Sequence, residues 1–188
     1  MQTMRTASIS LSIRCLFMWQ LLTITRPAEA ARWEEVDIEA QEWKIPAARM
    51  KMNRDHTVAF SDEAIAILEM MKPLSGNREF IFPSRIKPNQ PMNSQTVNAS
   101  LKRAGFGGVL VSHGLRSIAS TALNEQGFPP DVIEAALAHV DKNEVRRAYN
   151  RSDYLERRPM MQWWADFIRT ADNGLMWKNE MKRLQLVS

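Results

Sequence analysis

Residues 112–158 read SHGLRSIASTALNEQGFPPDVIEAALAHVDKNEVRRAYNRSDYLERR. The stretch holds His113 and His139, two of the three histidines in the chain, and both tyrosines, Tyr149 and Tyr154. Ser112 reads as an N-cap, His113 as the first helical residue, and Arg116 as its neighbour one turn on. Leu115, Ile118, Ala119, Ala122 and Leu123 supply the opposing apolar stripe. The helix stops by Gly127, and Pro129-Pro130-Asp131 restarts another that ends near His139. A helix N-terminus favours an anion, and His113 and Arg116 add donors aimed the same way.

Whether Tyr149 can join this group is a question of geometry. In one unbroken helix the ten residues from His139 would rise about 15 Å. Asp141-Lys142-Asn143 is a turn signal, however, and Asn143 caps a short helix from Glu144. Asn150-Arg151-Ser152 marks a second break. A tyrosine between two breaks suits a nucleophile that approaches and leaves a backbone. Two histidines, an arginine and a tyrosine converging in this way suit attack on a phosphodiester. Ser152 then caps a long helix to about Thr170, with Leu155, Met160, Trp163, Trp164 and Phe167 on its buried face. The last residues, 175–188, form a short amphipathic stretch.

Upstream, Arg5 and Arg14 precede the apolar run Leu16–Ile24, and Ala28-Glu29-Ala30 has a small-x-small outline. That resembles a secretory signal. Interrupting Ser and Thr residues, and Arg26-Pro27 where the run should close, favour a buried amphipathic helix over about Ser12–Thr23. Pro27 suits the first turn of a helix running to about Trp33, with Glu29 one turn from Arg26. Glu42–Ala47 and His56–Phe60 alternate polar and apolar and predict a β-hairpin, with Lys51 near its tip or on its second strand. Ser61-Asp62-Glu63 opens a helix that continues to Pro73. Asn93 or Ser94 opens another, reaching Ala104 before a glycine-rich end. Taken singly, Arg26, Lys51 and His113 have plainer explanations as boundary, solvated and capping residues.

The totals bound the class. A chain of 188 residues is one ordinary domain, with 45% apolar residues to make its core. Its 25 Lys and Arg against 21 acids, a net +4, are compatible with nucleic acid without demanding it. The single cysteine, Cys15, excludes an internal disulfide and fits a reducing, cytoplasmic compartment. The absence of a Cys/His cluster argues against structural zinc, and no apolar run is long enough to span a membrane.

The order of these pieces resembles the tyrosine recombinases, and within them the prophage and genomic-island integrases. LLTITRPAEAARWEEVDI, EWKIPAARMKMNRDHTVAF, SHGLR, LAHVD and RAYNRSDYLERRPMMQWWADF carry the resemblance, over roughly Leu16 to Ile168. It implies a mainly α catalytic domain with a small antiparallel β-sheet. It implies catalytic roles for Arg26, Lys51, His113, Arg116, His139 and Tyr149, with Glu29 supporting Arg26. Arg49, Arg54, Arg146, Arg147 and Arg151 are the expected DNA-binding cations. The family usually carries glycine two residues before its first arginine, where this chain has Ile24.

The expected organisation is a catalytic domain over 1–171, with the family's core-binding domain absent, and a tail over 172–188 for which packing on its own domain and packing in trans on a neighbour are both open. The expected activity is site-specific DNA cleavage and rejoining through a 3′-phosphotyrosyl intermediate, with no metal, cofactor or ATP. Arginine forks are suited to a charge-building phosphoryl group. The implied partners are double-stranded DNA at attachment sites, further copies of the chain in a tetramer, and accessory directionality or bending proteins. Two other readings fit the same residues. One is a non-catalytic DNA-binding or regulatory remnant; the other is a nicking-closing enzyme of the type IB topoisomerase kind.

Overall fold

The computed structural model describes residues 9–27, 30–50, 53–139 and 153–171, the side chains of 153–155 excepted. The centre of the molecule is helix α1, Leu11–Thr23, capped by Ser10, whose hydroxyl accepts from the Ile13 amide at 3.4 Å. Every residue from Cys15 to Thr23 is buried. A helix apolar all round belongs inside a domain and shows little amphipathicity, so the expected amphipathic helix is instead one enclosed on every side from Cys15 onward, with Leu11 to Arg14 half-buried. Trp19 is the hub, with its ring centroid 5.7 Å from Trp43, 5.4 Å from Phe60 and 5.8 Å from Phe82.

The hairpin expected from alternation forms, and a short strand is added to it. Strands β1 (Val36–Asp37), β2 (Glu42–Ile45) and β3 (His56–Ala59) make an antiparallel sheet in the order β1-β2-β3. The register pairs Trp43 with Val58 and Ile45 with His56. Two residues are too few for alternation to reveal, which is why β1 escapes a periodicity reading. The helix expected from Pro27 to Trp33 is not present over its described part. Arg32 instead bridges to Phe80, and a 3₁₀ turn covers Trp33–Glu35. The competing pull is the sheet-like pairing with the buried Phe80–Phe82 segment, where the Ile81 amide donates to the Ala31 carbonyl at 3.0 Å.

Helix α2, Asp62–Ser75, starts as its sequence predicts, with the Ser61 hydroxyl accepting from the Ala64 amide at 3.3 Å. It runs past Pro73 to Ser75. Helix α3, Thr96–Leu101, widens into a π turn over Lys102–Phe106 and ends on Gly105, whose φ of 91° favours glycine. Helix α4, Ser112–Glu125, comes next, then α5, Pro130–Ala136, and α6, Asp153–Ala171. Ser112 is the first helical residue of α4 rather than its cap. Its amide donates to Asn98 Oδ1 of α3 at 2.7 Å, so a side chain from elsewhere does the capping.

Helix α6 closes the core against α1, α4 and α5. Met160, Met161, Trp164, Ala165 and Ile168 are buried, and the Trp164 indole donates to the Leu21 carbonyl at 2.8 Å. Phe167, expected on the buried face, is 45% exposed. It lies on the rim, stacked on Trp163 and Trp164. Gln162 fastens α6 to the start of α2, accepting from the Asp62 amide at 2.9 Å and donating to Glu63 Oε2 at 3.1 Å. The fold is thus mainly α with a small antiparallel sheet, as the sequence predicts.

Candidate active site

The site is built on two chain ends facing each other: the turn that leaves α1 and the carbonyl end of α5. An α-helix leaves its last carbonyls without intrahelical partners, with partial negative charge there. After α5, Leu137 is buried and Ala138 takes a left-handed φ of 51°, which reverses the chain and brings up His139. Arg116, on the second turn of α4, is 4% exposed. One terminal nitrogen of its guanidinium donates to the Ile24 carbonyl, across 92 positions of sequence. The other donates to the Leu137 carbonyl at 2.6 Å and approaches His139 Nε2 at 3.4 Å. Arg26 Nη2 donates to the Ala138 carbonyl at 3.2 Å, across 112 positions.

Arg26, Arg116 and His139 therefore meet at one place. Since a guanidinium only donates, His139 Nε2 accepts from Arg116, and Nδ1 carries the proton that it gives to Glu134 Oε2 at 2.7 Å. Glu134 turns the ring so that its other edge faces the arginine. His113 is exposed on the first turn of α4, one turn before Arg116.

Ile24, where the family carries glycine, ends α1 with φ 49° and ψ 24°. The left-handed conformation costs a β-branched residue about 1–2 kcal/mol. Burial of its side chain, 1% exposed, contributes about 1.5–3 kcal/mol and outweighs that cost. The turn presenting Arg26 is thus made with isoleucine in the glycine conformation, and its carbonyl is the one that Arg116 holds.

Arg49 ends a 3₁₀ turn over Ala47–Arg49 and is held on the protein, paired with Glu35 and donating to the Ala30 carbonyl. Arg54 is exposed at the approach to β3. Glu29, Lys51, Arg146, Arg147, Tyr149 and Arg151 lie outside the described residues, as do the turns expected at 141–143 and 150–152 and the tail from 172. Among the described residues, no group of three His, Cys, Asp or Glu side chains is placed to hold a metal ion. Nor is any helix there long and apolar enough to cross a membrane.

The structure adds residues that the sequence does not single out. His56 opens β3 and is buried, beside Arg157, Arg26 and Arg116. Burial first, then those three guanidinium groups, push its imidazole down to about 4, so it is neutral at physiological pH. Arg157 of α6 donates to the Thr57 carbonyl at 3.1 Å. His56 passes for an ordinary strand residue because only the tertiary fold brings the cations to it. Glu134, five residues before His139, is brought to it by the left-handed turn at Ala138, which a helical spacing of three or four does not reveal.

A mainly helical domain with a three-stranded sheet, gathering two arginines and a histidine from distant segments at one helix end, defines a narrow class. Residues 1–156 match the family model described as the phage integrase family. The chain is 82% identical over 190 residues to the prophage integrase IntA of Escherichia coli strain K12, covering 100% of this chain and 46% of that protein. It is 39% identical over 167 residues to the integrase of Enterobacteria phage P4, covering 79% of this chain and 38% of that one. The solved integrase from mycobacterium phage Brujita shares the fold, with a TM-score of 0.64 at 17% identity, covering 86% of this chain and 54% of that chain. The chain belongs to the phage integrase family. It spans less than half the length of these two curated relatives.

Proposed function

We propose that this chain carries the catalytic part of a tyrosine-type site-specific recombinase that binds duplex DNA and cuts and rejoins it without metal or ATP. The observation that carries this reading is the meeting of Arg26, Arg116 and His139 at the carbonyl end of α5. A phosphodiester is anionic and gains charge on its non-bridging oxygens as a fifth oxygen bonds to phosphorus. Arg26 and Arg116 are the groups to hold those oxygens, since two fixed guanidinium forks stabilise developing charge better than mobile ammonium groups. Anchoring by backbone carbonyls supports this role, because a donor already held needs little reorganisation.

In the reaction, the Tyr149 oxygen attacks phosphorus and the bond to the 5′ oxygen breaks. His113 takes the tyrosine proton, Lys51 gives one to the departing 5′ oxygen, and His139, once Nε2 is protonated and turned from Arg116 to the bound phosphate, donates from that nitrogen to a phosphate oxygen while Nδ1 keeps its bond to Glu134. Glu29 supports Arg26. The product is a 3′-phosphotyrosine and a 5′ hydroxyl, and attack by a 5′ hydroxyl reverses it, which is why no ATP is consumed. Arg49, Arg54, Arg146, Arg147 and Arg151 are assigned to the DNA backbone, so binding releases counterions from the phosphates and weakens as salt rises. The working unit on DNA is a tetramer of copies, acting in the cytoplasm with accessory directionality or bending proteins.

The test is incubation with nicked suicide DNA, a denaturing gel and peptide mapping of any adduct. A covalent adduct on Tyr149 that vanishes in Tyr149→Phe, with binding retained, is expected. An adduct that persists in Tyr149→Phe and is lost in Tyr154→Phe reassigns the nucleophile. No adduct at all with DNA that is bound removes the catalytic reading.

A further inference from the structure

Helix α4 carries two of the residues assigned to cleavage, and they are held in different ways. Arg116 is buried and gripped through its guanidinium by the Ile24 and Leu137 carbonyls. His113 is exposed on the first turn, so its ring takes its place from the backbone beneath it rather than from packing. That backbone is fastened from outside the helix. The amide of Ser112, the residue before His113, donates to Asn98 Oδ1 of α3 at 2.7 Å, across 14 positions of sequence. Asn98 Nδ2 in turn donates to Gln95 Oε1 at 2.8 Å, which fixes the amide group with its oxygen towards α4.

The helix cannot supply this bond itself. Its flanking residue, Val111, has no side-chain acceptor, and Ser112 is already helical. Ser112 is also buried, so its amide would find no water if the acceptor were lost. Val109 and Val111 are exposed, so the loop over 107–111 gives the start of α4 little packing. Asn98 is a firmer anchor, because Val97, Ser100 and Leu101 beside it on α3 are buried in the core. We infer that Asn98 is a positioning residue for cleavage: its side-chain oxygen fixes the first turn of α4, so that His113 is set where it can take the proton of the nucleophile. The inference rests on the recombinase reading and on the role of His113 in it. Arg116, one turn on, has carbonyl anchors of its own.

The experiment compares the full 188-residue chain with Asn98→Ala, Asn98→Asp, His113→Ala and the double variant Asn98→Ala/His113→Ala. Asn98→Asp keeps the acceptor oxygen, and a negative charge suits a helix N-terminus. Adduct formation on nicked suicide DNA, affinity for the same duplex and thermal unfolding are measured. Misplacement of a catalytic group by about 1 Å costs on the order of 10²-fold. Asn98→Ala is therefore expected to slow adduct formation by about 10- to 100-fold at neutral pH, with DNA affinity unchanged. Asn98→Asp is expected to restore most of the rate. The deficit of Asn98→Ala is expected to shrink as pH rises from about 7 to about 9, because a tyrosine hydroxyl with a reference pKa of about 10 then ionises increasingly without a base. In the His113→Ala background, Asn98→Ala is expected to change the rate by less than about twofold, since a residue that acts through His113 has nothing left to position.

Adduct formation at the wild-type rate in Asn98→Ala overturns the inference. So does a slow Asn98→Asp variant, or a deficit of the same size at every pH. Losses from Asn98→Ala and His113→Ala that multiply in the double variant, in step with lost thermal stability, overturn it too: they are the mark of a cap that serves stability alone. All four results leave the recombinase reading standing, because the wild-type chain still forms its adduct. If the wild-type chain forms none, that reading falls and the inference falls with it.

Discussion

Helices α1 and α4 are nearly the same length and do opposite work. In α1 every residue from Cys15 to Thr23 is buried, and the helix serves the site only through groups just past its last turn, the Ile24 carbonyl and Arg26. In α4 the buried residues are Ser112, Leu115, Arg116, Ala119 and Leu123, a single face, and the helix places one of its own charged side chains inside. The enclosed helix fixes where the candidate site is, and the one-faced helix supplies the guanidinium held there. Arg116 joins the two by bonding the end of α1 to the end of α5.

The sharpest way to break this contrast is to truncate one residue on each helix. Trp19→Ala empties the space between Trp43, Phe60 and Phe82 and is expected to cost about 3–5 kcal/mol of unfolding free energy in denaturant titration. A loss below that of an ordinary surface change would mean that α1 is not the centre of the fold.

The next effect concerns pH. His56 is held at about 4 in the folded chain against an ordinary 6.5, so between those values the unfolded chain binds its proton more tightly. The stability it contributes is complete above pH 6.5 and is lost as pH falls towards 4, on the order of 3 kcal/mol across that window. His56→Gln is expected to flatten this part of the pH–stability curve, measured by denaturant unfolding at stepped pH. Equal slopes for variant and wild type would refute the burial of a neutral ring.

A smaller difference, that between two variants of one residue, tests the end of α1. Ile24→Ala keeps the left-handed strain and loses the packing, at about 2–5 kcal/mol. Ile24→Gly loses more side chain but recovers the roughly 1–2 kcal/mol of conformational cost. Glycine is therefore expected to be no worse than alanine at this buried position, against the usual order, and a clearly less stable glycine variant would show that the turn is not strained. Smallest of all, Ile118, which its spacing assigns to the apolar stripe of α4, is in fact 47% exposed, and Ile118→Ala is expected to change stability by less than about 0.5 kcal/mol. A larger loss would give α4 a second buried face.

The same contrast explains how much of the molecule is legible in its sequence. The apolar spacing of α4, the proline restart of α5 and the serine cap of α2 are local signals, and each element appears close to where they place it. Helix α1 is harder to read because a continuous apolar run has no period, so a buried helix and a secretory segment look alike. The stretch after Pro27 misleads because the pairing of Arg32 with Phe80 depends on a segment almost fifty residues away. Arg26, Arg116 and His139 are legible through the family's motifs. The carbonyls that hold them are not, since backbone groups leave no trace in side-chain identity. His56 escapes for the same reason: its setting consists of three arginines from three other parts of the chain.

The proposed clamp requires Arg26 and Arg116 to act on one phosphate as a unit. Cleavage of nicked DNA by Arg26→Lys, Arg116→Lys and the double variant tests it most directly. Residues acting together give strongly non-additive losses. The double variant is expected to be scarcely slower than the worse single one. Logarithmic losses that simply add would show two arginines working independently and would contradict it.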